Sequence, residues 1–212
     1  MRRPPPITYL LALPCALLFA HATAAAQTET QQPAQTQQRR LPKPTQTAPR
    51  VVAIEKYTDE LDAYALANPQ ARRFFVNTAE DQTGSWQEVS SEKELADKAS
   101  AIVWMRKEKP VIALLSGRSM GQSRRVTYYF RDNGTLAKVH SELQISAGNM
   151  QSVRDRSYDP KTFTILVRDF SYCTDMVSGQ QRPCGEAEAL EKSIPVYMRS
   201  TELPIYALLK KP

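Results

Sequence analysis

The dipeptide Asn133-Gly134 lies between two segments of strand-forming residues, 126–132 and 135–145, and constrains the fold more than any other local feature. Asn-Gly is the favoured centre of a two-residue hairpin loop, because both central positions of a type I′ turn need positive φ. Such a loop pairs positions whose numbers sum to 267. One face of the hairpin then carries Phe130 with Ala137, Tyr128 with Val139 and Val126 with Ser141. The other carries Tyr129 with Lys138, Thr127 with His140 and Arg125 with Glu142. An apolar face backed by a polar one is the pattern of an antiparallel sheet buried on one side.

Other elements gather around this hairpin. Apolar runs at 101–107 and 111–116 flank a polar stretch that ends in Pro110 and predict two strands. Residues 150–172 predict a further hairpin that turns at Asp159-Pro160. Upstream, Ile54, Tyr57, Leu61 and Tyr64 recur at three- and four-residue spacings, the apolar stripe of a helix that Asn68-Pro69 should end. Ser91-Glu92-Lys93-Glu94 has the form of a capping box and predicts a short second helix towards Ala99. Ser200 or Thr201 would cap a terminal helix with Pro204 in its first turn and Ile205, Leu208 and Leu209 facing the core. The expected fold is α+β: a single antiparallel meander of about five to six strands, with the N-terminal helices and a short C-terminal helix packed on one face. No alternating βαβ rhythm is present, which argues against a parallel nucleotide-binding sheet.

The N-terminus predicts export. Arg2-Arg3 precedes an apolar run over 7–20, and Ala22-Thr23-Ala24 and Ala24-Ala25-Ala26 offer small residues for cleavage after Ala24 or Ala26. Pro14 interrupts the run, whose fourteen residues would rise only about 21 Å as helix, too short for an anchor. Residues 1–26 are therefore read as a signal peptide, with a periplasmic or secreted mature chain and no membrane span after cleavage. Residues 27–50 are a linker: sixteen of the twenty-four are Gln, Thr or Pro, too little apolar surface to offset the entropy of ordering. The globular domain is expected over 51–212. In an oxidising compartment Cys173 and Cys184 should form one structural disulfide closing a loop with Ser178-Gly179 and Arg182-Pro183.

Charge narrows the partners. The chain carries a formal +6, but Arg2, Arg3, Arg39, Arg40, Lys43 and Arg50 lie before residue 51 against Glu29 alone. The domain is left with a net +1, and its basic clusters are interleaved with or followed by acids, without an aromatic nucleic-acid motif. No nucleic-acid partner is expected.

Catalytic candidates reduce to one pair. Gly117-Arg118-Ser119-Met120-Gly121 matches Gly-x-Ser-x-Gly, in which small flanking residues let a serine nucleophile occupy a tight strand-to-helix turn. The only histidine after residue 21, His140, would have to serve as its base. A strand, not a helix, follows Gly121, so the segment is read as a hairpin loop whose two glycines supply the turn, and His140 as a solvent-facing strand residue. One histidine and two disulfide-bonded cysteines supply no zinc site, and no cofactor motif is present. The expected function is that of an exported, non-enzymatic binding or accessory protein of the cell envelope, acting on an envelope protein or small ligand. The alternatives are a serine hydrolase using Ser119 and His140, and an assembly subunit pairing through a sheet edge.

Overall fold

The computed structural model describes residues 49–119 and 121–210. The predicted signal peptide and all but the last two residues of the predicted linker lie outside them. The first helix, α1 (Pro49–Ala67), stops before Pro69 as expected. Among the described residues nine strands follow: β1 (Arg72–Asn77), β2 (Trp86–Val89), β3 (Ser100–Arg106), β4 (Lys109–Ser119), β5 (Gln122–Phe130), β6 (Leu136–Ile145), β7 (Met150–Tyr158), β8 (Ile165–Asp175) and β9 (Gln181–Arg182). They form one antiparallel sheet in the order β2-β1-β3-β4-β5-β6-β7-β8-β9, a meander broken only where β1 and β2 exchange places. The sheet therefore exceeds the expected five to six strands. Two short helices, α2 (Glu186–Glu191) and α3 (Tyr206–Leu209), lie in the C-terminal segment. No described helix is long and apolar enough to cross a membrane.

The β5–β6 hairpin has the expected register from Arg125↔Glu142 to Tyr129↔Lys138, then shifts so that Phe130 pairs with Leu136. The cause is the turn. Gly134 has φ +81° while Asn133 does not have positive φ, and the Gly134 N–H donates to the Arg131 carbonyl at 2.7 Å. Asn133 Oδ1 accepts from the Thr135 N–H at 3.0 Å, and a three-residue loop with a bulge replaces the two-residue one. Residues 91–95 likewise form a single 3₁₀ turn instead of an α-helix, with Glu94 Oε1 accepting from the backbone N–H groups of Ser90 and Ser91. The terminal helix is also divided. Ser200–Glu202 is a 3₁₀ turn, and α3 begins only after Pro204.

Helices cover both faces of the sheet, not one. On one face the segment 194–209 lays Ile194, Leu203, Ile205 and Leu209 against Phe75, Val103, Leu115, Tyr128, Phe130 and Leu136. Beside it, α2 contributes Ala187 to a smaller cluster with Leu143, Ile145, Met150 and Cys173. On the other face Leu61 of α1 packs on Val111, Ile112 and Tyr129. Tyr129 belongs to the hairpin face that reads as polar, yet with Ile112 and Trp104 beside it that face is apolar enough at one end to seat a helix.

Candidate functional site

The first turns of α1 cross the sheet between the β5–β6 and β7–β8 turns and leave a cleft of about 510 Å³ beneath them. That volume falls within the range of small-molecule sites. Its walls are apolar where α1 supplies Ala53, Ile54 and the Tyr57 ring and the β7–β8 region supplies Pro160 and Leu166. Its rim is charged: Arg50, Arg131, Asp132, Asp159 and Lys161.

Each rim group is held by its neighbours. Arg50 pairs with Asp159 at 2.9 Å across the mouth. Asp159 is fixed in turn by accepting the backbone N–H groups of Lys161 at 2.8 Å and Thr162 at 3.0 Å. The Thr162 N–H bond, with that of Lys161 and the Arg50 charge, outweighs the effect of burial and holds the Asp159 carboxyl below its usual range. Asp132 is engaged by Arg106 outside the cleft. Arg131 donates to two backbone carbonyls, those of Leu136 and Tyr158, rather than to a carboxylate. Burial lowers its pKa, as it disfavours any charge removed from water. Tyr57 closes the inner end, its hydroxyl donating to the Phe130 carbonyl at 3.0 Å. Both acids at the rim thus have guanidinium partners, while Arg131 and Lys161 have no ion pair among the described residues. An apolar slot with surplus positive charge at its mouth suits an amphipathic anion.

The structure does not bring Ser119 and His140 together. Ser119 pairs with Gln122, which pairs with Ile145, so His140 lies five residues further along β6 and two strands away, roughly 17 Å along the strand alone. The two residues also alternate onto opposite faces of the sheet. The β4–β5 loop is tighter than expected, since Ser119↔Gln122 leaves only residues 120 and 121 between the strands. Gly121 supplies the turn with φ +75°. Gly117 instead lies within β4, where a Cβ would come 2.9 Å from Gln82 Nε2 and 3.1 Å from the Glu80 carbonyl. It makes room for the 79–84 loop. Cys173 and Cys184 are bonded, with Cα atoms 5.2 Å apart, and tie β8 to the approach of α2.

His140 is half-buried, not solvent-facing. Its Nδ1 lies 2.7 Å from Asp155 Oδ1 and its Nε2 lies 3.2 Å from Glu142 Oε1. Lys138 reaches the other Asp155 oxygen at 3.2 Å, and Tyr129 beside it donates to Asp62 of α1 at 3.1 Å. The hydrogen bond to Asp155 is the largest influence on the imidazole and, with Glu142, raises its pKa against the opposing effect of burial. For Asp155, burial acts upward, but the His140 hydrogen bond and the Lys138 and His140 charges prevail and lower its pKa. With both ring nitrogens engaged by carboxylates, the imidazole serves as a clasp across β6 and β7. A group whose folded pKa is raised adds stability below its unfolded pKa, about 6.5, and loses it as pH rises through the folded value. Urea midpoints should therefore fall as the pH rises above about 6.5, and His140→Gln should flatten that slope. An unchanged slope in the variant would remove His140 as its source.

Among the described residues no group of three His, Cys, Asp or Glu side chains is placed to hold a metal ion. No family model, curated protein or solved structure matches this chain.

Proposed function

We propose that the protein is an exported, non-enzymatic binding module of the cell envelope, and that the cleft under the first turns of α1 takes a small amphipathic molecule with an apolar body and an anionic end. The observation that carries this reading is the cleft itself: apolar walls from Ala53, Ile54, Tyr57, Pro160 and Leu166, with Arg131 and Lys161 at the rim in no salt bridge among the described residues. The N-terminal sequence supports export, and the disulfide fits an oxidising compartment.

The dye 8-anilinonaphthalene-1-sulfonate combines fused and pendant aromatic rings with one sulfonate and is a direct probe. It should bind saturably, and Ala53→Trp, which fills the cleft from an exposed helix position, should weaken it by about tenfold. Equal dye affinity in the variant would reject the cleft as the site. Mass measurement of the mature protein tests export independently, with an N-terminus expected after Ala24 or Ala26.

One observation favours a second reading, an assembly subunit. β9 pairs only with Cys173 and Thr174, so among the described residues the outer edge of β8 from Ile165 to Tyr172 carries no strand. An open edge of that length is a template for strand addition. A strictly monomeric protein that captures no partner from its native envelope would count against it.

A further inference from the structure

The face of the sheet that carries α1 is covered by that helix only at one end. Tyr57 and Tyr64 anchor α1 at the Phe130 and Met105 carbonyls, near the turns of β5–β6 and β3–β4. At the opposite end of the same face, around the β4–β5 turn, the strands meet a shallow concavity of about 320 Å³ whose lining includes no residue of α1, α2 or α3. Its floor is set by register. Ser116 on β4 pairs with Arg125 on β5, and Arg118 pairs with Ser123. Alternation puts all four side chains on one face, as a square with the two arginines on one diagonal and the two serines on the other. Directly opposed Cβ atoms lie about 5 Å apart and diagonal neighbours about 7–8 Å, within the reach of two guanidinium groups turned towards a shared centre. Lys98 stands on the rim and Ser100 beside Ser116.

The donors in this square are largely unspent. The side chains of Arg125 and Lys98 make no ion pair or hydrogen bond among the described residues, and both residues are exposed. Arg118 meets only Asp97, at 3.7 Å, with both side chains mostly in water, where such a pair contributes little. Ser123 directs its hydroxyl to Gln144 at 3.2 Å. Glu142, which stands opposite Arg125, is turned to His140. Guanidinium forks and hydroxyls converging from several directions match a group that presents oxygens on several sides, and guanidinium is suited to binding two such oxygens at once. A planar carboxylate presents two oxygens in one plane and leaves part of the square without a partner.

We propose that this concavity, walled by Ser116, Arg118, Ser123 and Arg125, binds a tetrahedral oxyanion, the phosphate or sulfate group of an ester. The site is separate from the α1 cleft and stands whether or not the cleft takes a ligand. The test is calorimetric titration at low ionic strength with inorganic phosphate, sulfate, acetate and glycerol phosphate, together with sedimentation of the protein with phosphatidylglycerol vesicles. Phosphate and sulfate should bind saturably and more tightly than acetate. Arg118→Gln and Arg125→Gln should each weaken them by about tenfold, the loss of one charge-assisted contact. Lys56→Gln, at an exposed position of α1 outside the lining of the concavity, should change affinity by less than about twofold. Binding of glycerol phosphate with this variant pattern identifies a soluble ester as the source; the same pattern confined to vesicles identifies a lipid headgroup. Absence of binding to every phosphate-bearing probe, or an equal loss with Lys56→Gln, would overturn the proposal. All three positions are exposed or half-buried, and circular dichroism of each variant separates loss of the site from loss of the fold.

Discussion

Glu191→Ala is expected to destabilise the fold by about 3–5 kcal/mol, as breaking one side of a buried ion pair does. Glu191 lies on α2 with 1% of its surface exposed. Its carboxylate accepts the Ser141 hydroxyl at 2.8 Å and the Ser152 hydroxyl at 3.4 Å, and Arg156 Nη2 stands 3.9 Å away. Arg156 is itself buried. Truncation would leave two hydroxyls without their acceptor and remove the negative charge facing a guanidinium that has little access to water. The cost comes from what remains, not from the loss of an attractive pair, since the attraction only offsets the desolvation of both charges. Glu191→Gln separates these effects, because it keeps an acceptor for the hydroxyls while removing the charge. Urea denaturation should rank wild type above Gln and Gln above Ala. Replacing Arg156 with methionine in the Ala background should recover part of the loss, and simple additivity of the two substitutions would mean that the residues do not act as a pair.

The parts of this fold that were legible in the sequence are those whose information is local. Arg125 to Tyr129 pair with Lys138 to Glu142 as the two-face pattern requires, because a slip of one residue would move Tyr128 and Val139 into water. The turn type is not legible because Asn133 can serve it in two ways, with left-handed backbone geometry or with a side chain that accepts the N–H two residues on, and here it does the second. β1 and β2 carry weaker local patterns. Arg72 and Arg73 open β1, and Gln87 and Glu88 fill the middle of β2; each strand is fixed by its neighbour through Phe74↔Val89 and Asn77↔Trp86. The placement of α1 on the second face also depends on non-local information, since it requires Ile112 and Trp104 to stand beside Tyr129. Candidate binding residues were the least legible of all. Arg50, Tyr57, Arg131, Asp159 and Leu166 come from four separate elements or turns, and no spacing in the chain announces their meeting. The Gly-x-Ser-x-Gly segment shows the converse: a local pattern with chemical associations proves to be one glycine in a turn and another making room for a neighbouring loop.

Phe130→Ala should lower stability by about 3–5 kcal/mol, the range for removing a buried aromatic ring from a core that cannot fully collapse around the space. The side chain is fully buried and stacks on Tyr128 with ring centroids 6.4 Å apart. It sits where the β5–β6 register shifts, inside the cluster that joins the sheet to residues 194–209. Collapse is resisted on that side because the C-terminal segment is held in place by its own backbone bonds, Leu136 N–H to the Met198 carbonyl and Ser200 N–H to the Gly134 carbonyl. The other face should respond differently. Phe130 meets α1 through its carbonyl, which accepts the Tyr57 hydroxyl, and truncating the ring leaves that group in place. Below its lowered unfolding transition the variant should therefore bind the anilinonaphthalene probe with wild-type affinity. Leu61→Ala provides the contrast, because Leu61 packs α1 onto Val111, Ile112 and Tyr129 on the cleft side of the sheet, and it should weaken the dye while leaving the opposite core intact. If Phe130→Ala abolished dye binding in the folded protein, the two faces would be coupled through the β5–β6 turn, and the cleft would depend on the C-terminal segment as much as on α1.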